Sequence, residues 1–124
     1  MKLFIAAIIL LSLLFLGIGV NTYYVTRTID DYYSKVSELA DPSESLQGQY
    51  VTLCSLWESW QEDVKLLSLT INHADLMTVE EKLHATLGAA RADAHEDYAI
   101  AHQQLLYALY HLGEMGKMSL GNVF

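Results

Sequence analysis

Between Lys2 and Arg27 the chain carries no charge, and residues 3–20 are almost wholly apolar. At about 1.5 Å rise per residue this run is about 27 Å long as a helix, close to the ~30 Å hydrocarbon core of a bilayer. It reads as a transmembrane anchor over residues 1–24, with Tyr23 and Tyr24 placed as an interfacial aromatic pair. Gly17 and Gly19 also have the small-residue spacing of a cleavage site, so a signal peptide is the alternative. The apolar core of a signal peptide is usually shorter, about 7–15 residues. Cys54 lies too far from the run to serve as a lipoprotein attachment site.

The helical rhythm does not stop at the anchor. Val25, Ile29, Tyr32, Val36 and Leu39 are spaced 4, 3, 4, 3, which predicts that the same helix continues outward as one rod. Asp41-Pro42-Ser43-Glu44 reads as a stop followed by a capped start, with proline at the first helical position. The second helix has the clearest period: Leu46, Tyr50, Leu53, Trp57, Trp60, Val64, Leu67 and Ile71 alternate steps of four and three. Such a seam requires a helical partner along its length. Asn72-His73-Ala74-Asp75 interrupts it, and Thr78-Val79-Glu80-Glu81 has the form of a capping box opening a third helix. That helix carries Val79, Leu83, Leu87 and Ala90 on one side. A bend near Asp93 separates it from a last helix with Tyr98, Ala101, Leu105, Leu109, Leu112 and Met115. Gly113, Gly116 and Gly121 are expected to loosen its end.

The fold class expected is therefore all-α: an N-terminal transmembrane helix running into an extracytoplasmic antiparallel bundle of four helices. A three-helix variant, continuous over residues 78–116, is the alternative. The domains are the anchor at 1–24, the bundle at 25–117 and a tail at 118–124. Trp57 and Trp60 are expected to be the largest core side chains.

Charge narrows the partners. Beyond the anchor the chain has all fifteen acidic residues against six of the seven basic ones, a net charge near −9. That balance excludes a nucleic-acid footprint and implies repulsion from anionic headgroups. Lys2 on the short side, against Arg27 followed by Asp30 and Asp31, points the N-terminus to the cytoplasm and the bundle outward. The localisation expected is a single-pass protein of the cell membrane, touching lipid through residues 3–24.

Site chemistry is sparse. Glu81 and His84 have the Glu-x-x-His spacing of di-iron bundles, but no second copy accompanies them, and His111 with Glu114 is reversed. They are weak metal candidates that fit a solvated helix face better. His95 and His102 are seven apart, about 10 Å along a helix, too far for one ion without a partner helix. They fit surface histidines beside Glu96 and Asp97. His73, at the break between helices, fits a capping role toward free carbonyls. A single cysteine rules out an internal disulfide; Cys54 reads as a buried thiol or, if exposed, a link between two copies. No Ser-His-Asp arrangement, phosphate loop or covalent-haem motif occurs, so neither enzyme activity nor a cofactor is expected.

Trp57, Lys65 and Leu66, then residues 71–76 (Ile-Asn-His-Ala-Asp-Leu) and Val79-Glu80-Glu81, form a pattern together with the ending Leu112, Glu114, Met115 and residues 119–124. With the apolar anchor, this resembles a family of small single-pass bacterial membrane proteins, domain of unknown function 4363. The resemblance implies a single-pass helical protein of Gram-positive bacteria and assigns no activity. It draws attention to His73, Asp75 and Asn122, which we read as structural, alongside Trp57 and Trp60. The expected function is a non-enzymatic, membrane-anchored interaction or assembly module, with a protein partner or self-association through the bundle. The alternatives are a ligand-sensing bundle acting through a membrane partner, and a metal protein built on His84, His95, His102 and His111.

Overall fold

The computed structural model describes residues 1–39 and 45–123, with side chains to Met115 in the last helix. Four helices follow one another: α1 (Lys2–Ser37), α2 (Gln47–Leu67), α3 (His73–Arg91) and α4 (His95–Val123). Cross-helix pairs set the directions. Asn21 meets Thr70 and Tyr32 meets Ser59, so α1 and α2 run antiparallel. Gln61 with Glu80 and Trp57 with His84 do the same for α2 and α3. Ile29 beside Gly113 and Val36 bonded to His102 set α4 antiparallel to α1. This is an up-down-up-down bundle, with α4 packed between α1 and α3, and α3 between α4 and α2. The segment containing Asp41, Pro42, Ser43 and Glu44 lies outside the described residues.

α1 has two halves with opposite surroundings. Its upper half buries Val25, Ile29, Tyr32 and Val36, with Leu39 just beyond the helix partly covered, along the stripe its spacing predicts. Its lower half, residues 2–20, is exposed except for the half-buried Ile18. It is the one helix among the described residues that is long and apolar enough to cross a membrane.

The α2 seam is present, rotated slightly from its predicted centre. Leu46, just before α2, and Leu53, Leu56, Trp60 and Leu67 are buried, and Gln49 with them, while Tyr50, Trp57, Val64 and Ile71 flank them half-buried. Trp60 is the larger core element, edge-on to the Tyr32 ring at 5.3 Å. Trp57 is at the margin rather than in the core, because Leu56 and Gln49 take the inner positions.

The start of α3 differs from expectation. Asn72, not Thr78, is the cap: its Oδ1 accepts from the Ala74 amide at 3.0 Å, with Asp75 in the first turn. Thr78 lies inside the helix and donates its hydroxyl to the Ala74 carbonyl. Asn72 with an acid three residues on is itself a capping signal, and Leu76, fully buried, extends the core stripe backwards from Val79. His73 is the first residue of α3 and exposed, so it caps nothing; the amides of Leu69, Thr70 and Ile71 take the last carbonyls of α2.

Residues 92–94 break α3 from α4, which removes the three-helix alternative. Asp93 has φ 54°, and the amides of Asp93 and Ala94 bond to Ala90 and Ala89. That is the left-handed helix ending usually given to glycine. Asp93 instead uses its carboxylate, which accepts from the Leu46 amide at 3.3 Å and faces His95 at 3.4 Å. The glycines of α4 do not end it: the backbone stays helical through Val123, so residues 118–123 continue α4 rather than forming a loose tail. The Asn122 side chain lies outside the described residues.

Candidate functional site

The five histidines are dispersed, and four of them have a local occupation. His84 packs its ring against Trp57 at 5.3 Å, while Glu81 is exposed. His111 stacks on Tyr107 one turn earlier, at 6.3 Å. His95 faces Asp93 at 3.4 Å. His102 is half-buried, stacked on Tyr98 at 5.7 Å, with its Nε2 2.7 Å from the Val36 carbonyl. A carbonyl only accepts, so Nε2 carries the proton. His102 thus satisfies a carbonyl in the last turn of α1 from across the bundle, a capping role that its sequence position did not disclose. Among the described residues, no group of three or more His, Cys, Asp or Glu side chains stands close enough to hold a metal ion.

Of the open grooves lined by polar groups, two bear on these residues. One, of about 690 Å³ between α3 and α4, presents Asp75, Thr78, Lys82, Gln103, Tyr107 and His111. The other, of about 860 Å³, lies along α1 and α2 just above the apolar half of α1. Its floor is a linked trio. The Tyr32 hydroxyl donates to Asp63 at 2.6 Å and stands 2.9 Å from the Ser59 hydroxyl. Burial, reinforced by the hydrogen bond to Asp63, pushes the Tyr32 phenol well above its usual range. A phenol held protonated is neither a base nor a nucleophile. The trio fastens α1 to α2.

Among the described residues, two buried side-chain atoms have no hydrogen-bond partner, Trp60 Nε1 and Tyr98 OH. Burial raises the Tyr98 phenol also. Cys54 is half-buried on α2, and its thiol beside Tyr50 raises that phenol in turn. The large accessible apolar surfaces lie elsewhere: the lower half of α1, then Leu66 and Leu69 at the end of α2, and Ile100, Tyr107 and Tyr110 on α4. Against protein-family models, curated proteins and solved structures alike, the chain has no match.

Proposed function

We propose that this chain is a non-enzymatic, membrane-anchored helical module that presents its bundle to a protein partner at the outer face of a bacterial membrane. The observation that carries the reading is the division of α1. One uninterrupted helix is exposed and apolar over residues 3–17 and buried in the bundle core from Val25 to Val36. An exposed run of this size is unstable in water and stable in lipid. Because anchor and core share one helix, the bundle is held at a fixed height rather than on a flexible leash. The resemblance to single-pass bacterial proteins, the short-side Lys2 and the acidic bundle favour the outward orientation.

Exposed Ile100 and Tyr107 on α4 offer a face for the partner. The test is crosslinking in intact cells followed by affinity recovery from detergent, together with protease accessibility from outside. Recovery of one membrane partner, with the bundle cleaved from outside, supports the proposal. A protected bundle would overturn the orientation, and consistent recovery of an uncrosslinked monomer would overturn the assembly role.

The α3–α4 groove favours a second reading, a bundle that senses a small polar ligand and works through a membrane partner. Lys82 with Asp75 and Gln103 would meet a zwitterionic molecule. A thermal-shift series with small acids, amines and amino acids tests it; no shift with any of them would discard it.

A further inference from the structure

We infer that the turn between α2 and α3 rests in the lipid interface beside α1, giving the bundle a second contact with the membrane. The inference depends on the reading of α1 as a membrane span. Its starting point is Leu69, which at 79% is the most exposed apolar residue beyond the first 24 among those whose side chains are described. Leu66, one turn earlier, is 54% exposed. Two exposed leucines at the end of an amphipathic helix have no role in the bundle core, which Leu67 and Leu76 occupy between them.

Their height is fixed by a hydrogen bond. Asn21, directly after the apolar run ends at Val20, donates from Nδ2 to Thr70 Oγ1 at 2.5 Å. Leu69 therefore stands level with the boundary where α1 passes from apolar to polar sequence. The other groups at that level are those that favour a bilayer interface. Tyr23 and Tyr24 project from α1, 66% and 37% exposed. Lys65 at the foot of α2 is exposed, held by Glu62 at 3.7 Å, with a stem long enough to reach headgroup phosphates. Aromatic rings, leucines and a lysine within about 8 Å of one depth are the composition of an interfacial belt.

α4 descends to the same depth. Gly113 lies beside Ile29, and the helix from there to Val123 spans about 15 Å, against about 12 Å from Ile29 back to Asn21. The base of the bundle is thus a platform formed by the α2–α3 turn and the last turns of α4 around α1. The acidic balance of the bundle opposes anionic headgroups, so the occupant is the apolar interface of a zwitterionic lipid surface, entered by side chains rather than attracted by charge.

The experiment uses the full chain in phosphatidylcholine nanodiscs, one copy per disc, on a Cys54→Ser background. A single environment-sensitive fluorophore is attached at Leu69→Cys, at Met77→Cys higher on α3, at Val51→Cys near the far end of α2, or at Leu10→Cys within the apolar run. Circular dichroism confirms that each variant keeps its helix content. The expected result is a blue-shifted Leu69 probe, quenched by lipids spin-labelled near the headgroup and several-fold less accessible to aqueous iodide than the Val51 probe. The Met77 probe should fall between them. A Leu69 probe as open to iodide as Val51, with Leu10 still quenched by lipid, overturns the inference and leaves the span intact. A Leu69 probe shielded from iodide but untouched by lipid-borne quencher overturns it in favour of a protein contact. A Leu10 probe open to water removes the span, and this inference with it.

Discussion

Individual side chains explain how the bundle holds together. Tyr32 and Tyr98 are both buried phenols, yet of the two hydroxyls only that of Tyr32 has hydrogen-bond partners. Replacing Tyr98 with Phe removes an unpaired hydroxyl at almost no cost in shape. It should stabilise the full chain in detergent by about 1 kcal/mol, seen as a higher thermal midpoint. Tyr32→Phe should do the opposite, costing about 1–3 kcal/mol through the stranded Asp63 carboxylate.

The two phenols also set a pH dependence. Each has its folded-state pKa raised, so each keeps its proton in the fold at pH values where the unfolded chain has lost it. Their contribution is complete below about pH 10 and is lost as pH rises beyond it toward the folded values. Chemical denaturation should show a stability plateau through neutral pH and a fall above about pH 10. Tyr32→Phe should flatten that fall. Asp93 is the other informative residue, since it tolerates a left-handed backbone in exchange for holding the Leu46 amide. Asp93→Ala keeps the strained backbone and loses that bond, whereas Asp93→Gly loses the bond and relieves the strain. Thermal midpoints should rank the Gly variant above the Ala variant, by about 1 kcal/mol in stability.

At the level of elements, periodicity was the reliable guide and punctuation the weaker one. The stripe of α1 was legible from Val25 to Leu39 because a buried helix face repeats every three or four residues whatever it packs on. The α2 seam was legible for the same reason, although the flanking set containing Trp57 looked like its centre. Ring size drew attention to Trp57, while Leu56 and Gln49 lay unremarked on the inner side. At the start of α3 two capping signals, Asn72 and Thr78, lie six residues apart and compete. Asn72 won, since starting there lets Leu76 reach the core. Asn72→Ala should therefore cost about 1 kcal/mol, while Thr78→Ala should leave stability nearly unchanged, both measured by thermal unfolding. Glycines misled at the other end: Gly113 and Gly116 weaken helix propensity, but α4 continues through them. The roles of His102 and Asp93 lay outside any local pattern. Each depends on a partner, Val36 or Leu46, at least 47 residues away in sequence.

For the whole molecule, the important property is that the anchor and the bundle are not separate parts. α1 contributes one wall of the core through Val25, Ile29, Tyr32 and Val36, and the same helix runs on without a break into the apolar run. On the proposed reading, such a protein offers placement: a bundle held at a defined height with its accessible side faces turned toward neighbours. The most direct test is the distance between spin labels at Ile8 and Tyr33, introduced as cysteines on a Cys54→Ser background and measured in nanodiscs. Both positions are exposed, one on each half of α1. A continuous helix predicts a single narrow distribution near about 38 Å. A broad or much shorter distribution would contradict the account, because it would mean that anchor and bundle move independently.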